Sequence, residues 1–389
     1  MITGDITKIN LSTSSFEHMI TDGNLYIDKT RFIENFLNQA SEVQLVVRHR
    51  RLGKSLNMDM LRCFLTDEKD YRYLFKDLYI ETSRVWDMAN SAPVFHFDFK
   101  LLKEDDYIQW IHDCVCDYIN LYCDGVTLSS AAQRYLNDSG SKDPRGLLYL
   151  TESVYRATGK RSYILIDEYD NLLMDNYNTD KYEEIKKFES DLLSSGLKGN
   201  KYLKKALITG VMRISYESML SGLNNLVTFD VFSDDVYVDD YGITEEEAEE
   251  LCRLASLDLN ELRAWYNGVK INGKAIYNLY SVMSCISKKR YAIYWGKSGV
   301  MDIISNLLND ERKLTIAKLL NSEHVEAIVR EKITLRQLTS RSDDGAFYSL
   351  LVHSGYLTLD EVLPGNESSL LTIPNKELLL VWKEFILYK

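Results

Sequence analysis

A lysine and a serine follow a short apolar segment near the start of the chain, in the order that phosphate binding requires. Residues 45–47 are apolar, residues 48–52 are mostly polar, and Gly53, Lys54 and Ser55 lead into a segment with helical spacing. In this pattern a buried strand delivers a loop whose N–H groups wrap phosphates, the lysine neutralises the β/γ-phosphates and the serine hydroxyl holds Mg²⁺. The positive end of the following helix faces the same anion.

This predicted phosphate loop departs from the usual G-x-x-x-x-G-K-[ST] pattern at its first position, where Arg48 replaces glycine. On this segment alone, a surface loop before a helix stays open as the alternative. The residues that we predict to bind the nucleotide are Arg48, His49, Arg50, Arg51, Leu52, Gly53, Lys54, Ser55 and Leu56.

Two carboxylates end a second apolar segment. Residues 163–166 form the apolar run, and Asp167 and Glu168 follow at once. Removing carboxylates from water at a strand end is unfavourable unless a cation is present, and Mg²⁺ with a nucleotide supplies one. We expect Asp167 and Ser55 at the metal, and Glu168 to polarise the attacking water. A solvated strand end with no ligand is the alternative.

A third apolar run, residues 205–210, contains Thr209 and is followed by Arg213. A hydroxyl at such a strand end can sense the γ-phosphate, and Arg213 could reach the same group. The catalytic residues predicted from the three segments together are Glu168, Lys54, Thr209 and Arg213. A helix cap for Thr209 and a surface ion pair for Arg213 stay open.

Strands alternate with helices over residues 40–240, which predicts an α/β fold with a doubly wound parallel sheet. In such a fold the carboxyl ends of the strands meet at one edge, where ligands bind. Lys54, Asp167 and Thr209 would therefore lie together.

Composition limits the classes of protein to consider. The chain has 389 residues, so two or three domains are expected. Its net charge of −12 argues against a protein that coats nucleic acid. No apolar run is long enough for a membrane span, and no signal peptide is visible. A cytoplasmic location is expected, with the six cysteines reduced.

Several motifs together resemble the bacterial AAA-ATPase-like family. They are Tyr26-Ile-Asp-Lys-Thr30, residues 48–56, Ile164-Leu-Ile-Asp-Glu-Tyr-Asp170, Thr209-Gly-Val-Met-Arg-Ile-Ser215, Ser221-Gly-Leu-Asn-Asn225, Tyr241-Gly-Ile-Thr-Glu-Glu246, Trp265-Tyr-Asn-Gly268 and Ile276-Tyr-Asn278. The resemblance covers about residues 10–280 and implies a P-loop ATPase with ATP and Mg²⁺ as cofactors. The family tolerates arginine at the first loop position. His49 and Leu52 depart from its usual proline and phenylalanine.

Members of this family often carry a C-terminal PD-(D/E)XK nuclease-like domain. It would begin near Pro374, fifteen residues before the last residue, Lys389, so we expect no nuclease in this chain. Glu184-Ile-Lys186 fits E-x-K, but it lies in a charged helical run. A separate nuclease polypeptide, or another protein partner, stays open.

The predicted domains are a P-loop core over residues 1–240, a small helical lid over 241–289 and a C-terminal region over 290–389. Thr244 and Glu247 have capping-box spacing, and the order helix, helix, hairpin near the C-terminus predicts a winged helix. Its presumed recognition region, residues 341–355, has one arginine, two aspartates and no lysine. This charge favours a structural or protein-docking wing over nucleic-acid binding.

The sequence thus predicts an ATP-binding, Mg²⁺-dependent ATP-hydrolysing switch that couples nucleotide state to a partner. The alternative is a non-hydrolysing nucleotide sensor or protein-binding scaffold.

Overall fold

A computed structural model describes residues 1–138, 141–213, 225–232, 236–295, 299–339, 342–362 and 368–387. The α-helices, α1 to α16 in chain order, are Phe16–Thr21, Arg31–Asn38, Lys54–Leu65, Tyr107–Tyr122, Ser130–Asn137, Gly146–Thr158, Asn171–Asn176, Tyr182–Leu197, Glu245–Ala255, Leu259–Tyr266, Leu279–Lys288, Gly299–Leu307, Asp310–Leu320, Leu335–Thr339, Asp344–His353 and Lys376–Leu387. The strands, β1 to β12, are Ile2–Thr3, Tyr26–Ile27, Val43–Val47, Val94–Asp98, Ser162–Asp167, Leu203–Gly210, Leu226–Phe229, Val269–Ile271, Lys274–Ile276, Val325–Ile328, Thr358–Val362 and Ser368–Thr372.

The centre of the molecule is a five-stranded sheet in the order β4-β5-β6-β3-β7, in which all neighbouring strands are parallel. Every residue of β3 and β5 is buried, as expected for a parallel sheet covered on both faces. The predicted doubly wound α/β fold is confirmed. Strand β6 lies between β3 and β5, so the loop strand and the carboxylate strand stand roughly 10 Å apart.

Residues 241–289, which we predict to be a lid, follow the sheet and carry the predicted capping box at the start of α9. The Thr244 hydroxyl accepts from the N–H of Glu247, whose carboxylate in turn accepts from the N–H of Thr244. Helices α9, α10 and α11 form a second hydrophobic cluster, and Leu25 and Ile27 from the N-terminal segment belong to it. The N-terminal segment therefore packs against the lid as well as against the core.

The C-terminal region contains a three-stranded antiparallel sheet in the order β10-β12-β11. Helices α14 and α15 precede the β11–β12 hairpin, in the predicted order. Residues 363–367 between its strands, where the sequence Pro364-Gly365 predicts a turn, lie outside the described residues. Helix α15 is buried from Gly345 to His353. Within the described ranges, no helix has the length and apolar character to cross a bilayer.

Candidate functional site

The loop between β3 and α3 ends in a left-handed glycine that starts the helix. Gly53 has φ of 91° and caps α3, a conformation that residues with a Cβ rarely adopt. Lys54 follows and is 4% exposed. Its Nζ donates to the carbonyl oxygens of Arg48 and His49 at 3.2 Å each. The lysine that we predicted to bind phosphate therefore lies folded over its own loop.

The same ammonium group contacts the carboxylate of the residue that follows β5. Lys54 Nζ lies 3.6 Å from Glu168 Oε1, so the ion pair spans the gap between the loop strand and the carboxylate strand. Glu168 has φ of 52°, a left-handed conformation that costs of order 1 kcal/mol or more for a residue with a side chain. Strain of this kind clusters at functional sites.

Asp167 and Thr209 meet where β5 and β6 end. The Thr209 hydroxyl donates to Asp167 Oδ1, and the same oxygen accepts from the N–H of Glu168 at 3.0 Å. Both side chains are buried. The structure thus places Lys54, Asp167, Glu168 and Thr209 at one edge of the sheet, as their positions in the sequence predict.

Asp170 fixes this edge and was not among the residues predicted from the sequence. Its Oδ2 accepts from the N–H groups of Val211 and Met212 at 2.9 and 2.8 Å. Burial, together with the charge of Glu168, raises the pKa of Asp170 to about 6. Its position three residues after Asp167 was the feature of the sequence that could have indicated this role. Asp170 therefore ties the end of β5 to the segment after β6.

Arg213 is not brought to this group. Its guanidinium lies 3.1 Å from Asp230 Oδ2 and 3.6 Å from Glu331 Oε2. The first carboxylate follows β7 and the second belongs to the C-terminal region. In this structure Arg213 forms the ion pair that stood as the alternative, and its role toward phosphate stays a prediction.

A cavity of about 380 Å³ opens beside Lys54 and Glu168. The loop and the start of α3 line it from Arg51 to Leu56, whereas Arg48, His49 and Arg50 are not among its lining residues. The N-terminal segment forms the opposite wall, and α11 closes the side. Most of these wall residues were missed from the sequence; they include Leu11, Met19, Leu25, Ile27, Leu279, Tyr280 and Met283.

Arg48 and His49 turn into the protein. The Arg48 guanidinium donates to the carbonyl oxygens of Val47 and Phe229 at 3.0 and 3.2 Å. His49 Nε2 lies 3.0 Å from the carbonyl oxygen of Val352, at the end of α15. Burial lowers the pKa of His49 to about 3, so the ring is neutral and donates this hydrogen bond. The side chains of both residues are therefore engaged inside the protein, and their role in nucleotide binding stays a prediction.

Residues of the predicted lid, together with Tyr294 just after it, hold the other half of the loop. Arg51 Nη1 donates to the carbonyl oxygen of Tyr294 at 2.6 Å, and its guanidinium lies 4.2 Å from the centre of the Tyr280 ring. The N–H of Gly242 donates to the carbonyl oxygen of Leu52 at 2.9 Å. Asn278 donates to the carbonyl oxygen of Arg50 at 3.5 Å. The phosphate loop is thus the meeting point of the core, the lid and the C-terminal region.

The donors near Lys54 suit Mg²⁺. This ion takes oxygen ligands and usually keeps several waters, binding through one or two protein groups and the phosphates of a substrate. The Ser55 hydroxyl lines the cavity, and the Asp167 carboxylate lies at the adjoining strand end. Among the described residues, no group of three or more His, Cys, Asp or Glu side chains is arranged to hold a metal.

A parallel sheet with a Gly-Lys-Ser loop after one strand and an Asp-Glu pair after another defines the class of P-loop NTPases. The sequence model of the family described as AAA-ATPase_like, Predicted AAA-ATPase, matches residues 10–220. The chain belongs to this family.

Comparison with individual proteins adds little about activity. A protein of Azotobacter chroococcum mcd 1, described as an uncharacterized protein in the vnfD 5' region, is 26% identical over 344 residues. That match covers 88% of this chain and 62% of the relative's length. The structure of Drosophila ORC bound to AT-rich DNA and Cdc6 covers 96% of this chain and 95% of its own, at 10% identity and a TM-score of 0.26. For the structure of Drosophila ORC bound to GC-rich DNA and Cdc6, the identity is 9% and the TM-score is 0.23. Likenesses this distant carry no argument about function.

Proposed function

We propose that the chain binds ATP with Mg²⁺ and hydrolyses it as a molecular switch. The observation that carries this proposal is the contact of Lys54 with Glu168 beside the cavity, next to the Asp167–Thr209 pair. Lys54 leaves the carbonyl oxygens of its own loop and binds the β- and γ-phosphates. Charge neutralisation and positioning then supply most of the rate enhancement, as in other phosphoryl transfers.

Each remaining group has one task. Bound Mg²⁺ neutralises phosphate charge, and Ser55 and Asp167 would hold it. Glu168, freed from Lys54, accepts a proton from the attacking water. Thr209 keeps Asp167 oriented and reports the presence of the γ-phosphate. The apolar wall from the N-terminal segment and α11 takes the base.

Lys100 supplies a second cation in this proposal. Four cationic side chains line the cavity among the described residues, and three are engaged: Lys29 with Glu247, Arg51 with Tyr280 and Tyr294, and Lys54 with Glu168. Lys100 is exposed at the carboxyl end of β4, and no hydrogen bond or ion pair of its side chain is described. It is the cation most available to the γ-phosphate.

The C-terminal region then reads the state of the loop through His49 and α15. A winged-helix interpretation of α14, α15 and the hairpin agrees with the order of elements, but α15 is buried and cannot enter a DNA groove. The wing in this proposal is structural, and its outer face docks a protein partner or a separate nuclease.

Nucleotide binding and phosphate release test the proposal. We expect Lys54→Ala to abolish ATP binding in calorimetry, and Glu168→Gln to retain binding while phosphate release stops. Protein that neither binds nor hydrolyses ATP would overturn the proposal. Tight ATP binding without phosphate release, with candidate partners present, would instead support a nucleotide sensor. This second candidate is favoured by the contacts of Lys54 with its own loop and with Glu168.

A further inference from the structure

A second concentration of cations lies at the opposite end of the sheet from Lys54. The loops that enter β4, β5 and β6 converge there on a cavity of about 340 Å³, lined by Ser91, Ala92, Tyr155, Gly159, Lys160, Arg161 and Lys204. None of these lining residues is acidic, although the whole chain carries a net charge of −12. Positive charge at this place is therefore a local feature of the fold.

Of the three cations, Arg161 and Lys204 form no ion pair with an acid among the described residues. Lys160 Nζ lies 2.7 Å from Asp67 Oδ2, so part of its charge is neutralised. Arg161 is exposed and has no hydrogen bond or ion pair among the described contacts. Lys204 lies over the Tyr163 ring at 5.3 Å, and burial together with Arg161 lowers its pKa. Like charges held together without an acid form a favourable place for an anion.

One tyrosine lines the same cavity, and a second packs against it. Tyr155 is 39% exposed, and its ring centre lies 5.3 Å from that of Tyr202. Lys201 is exposed beside them, with its Nζ 5.0 Å from the centre of the Tyr202 ring. Cations that contact phosphates next to aromatic rings that stack on bases are the combination that binds single-stranded nucleic acid.

We propose that this surface, formed by Tyr155, Arg161, Lys201, Tyr202 and Lys204, binds a single strand of nucleic acid. Arg161, Lys201 and Lys204 contact the phosphates, and Tyr155 stacks on a base. A phosphorylated peptide would use the cations alone, whereas the exposed tyrosine favours a strand with unpaired bases. The surface lies at the amino ends of the strands, whereas Lys54 lies at their carboxyl ends.

The full-length protein can be tested by fluorescence anisotropy with a labelled single-stranded oligothymidylate. We expect Arg161→Glu with Lys204→Glu to weaken binding roughly tenfold or more and to flatten the salt dependence of the affinity. Lys76→Glu with Lys313→Glu changes net charge equally at exposed positions elsewhere and is expected to bind as the parent does. We expect Tyr155→Ala to weaken binding about fivefold or more.

Three results would overturn this proposal. The first is equal binding by the charge-reversed pair and the parent protein, with circular dichroism showing that both are folded. The second is an equal loss in the control pair, which would indicate non-specific attraction. The third is competition by a duplex or a phosphopeptide at the same concentration as the single strand, with no effect of Tyr155→Ala. ATP binding measured on the same variants should be unchanged.

Discussion

The His49 ring donates a hydrogen bond from Nε2 to the carbonyl oxygen of Val352 at 3.0 Å, and so joins the phosphate loop to the end of α15. Gly355 packs closely on the same ring, because a Cβ added at this glycine would come within 2.9 Å of the imidazole. Gly355 also has φ of 83°, which glycine adopts without strain. His49, which departs from the usual proline of the family, is thus an anchor for the C-terminal region.

We predict that His49→Ala destabilises the protein by about 1–3 kcal/mol, because a buried side chain and its hydrogen bond to Val352 are lost. The Val352 carbonyl keeps the N–H of Gly355 as a donor, at 3.1 Å. Amide exchange in the last turn of α15 should accelerate more than exchange in β5. His324→Ala removes an exposed imidazole, so it should change the free energy of unfolding by less than about 0.5 kcal/mol. Unaltered exchange in α15 would show that the anchor does not hold the helix.

Protonation of His49 should give a pH dependence of known sign. Its pKa is lowered to about 3 by burial, and that of an unfolded histidine is about 6.5. Between these values the unfolded state binds more protons, so stability falls as pH falls from about 6.5. Urea titrations at several pH values should show a smaller decline in His49→Ala than in the parent.

We expect Lys100, a cation that lines the cavity, to affect the rate of ATP hydrolysis more than the affinity for ATP. Lys100→Ala should lower kcat for ATP roughly tenfold or more, because the cation acts on charge that develops at the γ-phosphate. The affinity for ATP should change only a few-fold. Lys103→Ala removes a neighbouring exposed charge and serves as the control. Equal rates in the two variants would remove Lys100 from the mechanism without affecting the assignment of Lys54.

Ionisation of the buried Asp240 carboxyl should lower the free energy of unfolding as pH rises. Burial raises its pKa to about 7, against about 3.9 when unfolded, so the folded state binds the extra proton between these values. Stability then declines from about pH 4 to pH 7, by about 4 kcal/mol at most. Asp240→Asn keeps an oxygen that can accept from Asn35. It should flatten this part of the thermal stability profile, and an unchanged slope would contradict the assignment.

Glu189 is a buried acid whose two carboxylate oxygens have no hydrogen-bond partner in the described structure. Burial raises its pKa, and Asp170 raises it further. Glu189→Met removes the group at similar volume, so we expect a gain of about 1–3 kcal/mol at pH 8 that shrinks toward pH 5. Glu184→Met, on the exposed face of α8, should be nearly neutral. A loss of stability in Glu189→Met would indicate that the acid has a partner.

The local parts of this site could be predicted from the sequence. Gly53 and Lys54 closely follow one strand and Asp167 ends another, so each pattern can be recognised in a short stretch of sequence. The parallel sheet then brings the carboxyl ends of the two strands to one edge. Tertiary contacts could not be predicted in this way. The burial of Arg48 and the pairing of Arg213 with Glu331 depend on chain segments far away in sequence.

The cavity walls show the same division. Two motifs indicated the family but not the contacts that their residues make, namely Tyr26-Ile-Asp-Lys-Thr30 and Ile276-Tyr-Asn278. In the structure Lys29 binds Glu247 through both carboxylate oxygens, at 2.8 and 2.7 Å, and Asn278 caps α11 beside the loop. These motifs join the N-terminal segment and the lid around the cavity, which only the folded chain reveals.

The residues joined at the loop are 303 positions apart, and this separation has a consequence for biosynthesis. At the usual speed of a ribosome, roughly 15 to 60 s pass between the appearance of His49 and that of Val352. During that time the imidazole has no carbonyl acceptor at Val352, so we expect the loop to be unanchored while the earlier segments fold. The anchor of the phosphate loop can form only after the segment that contains Val352 has emerged.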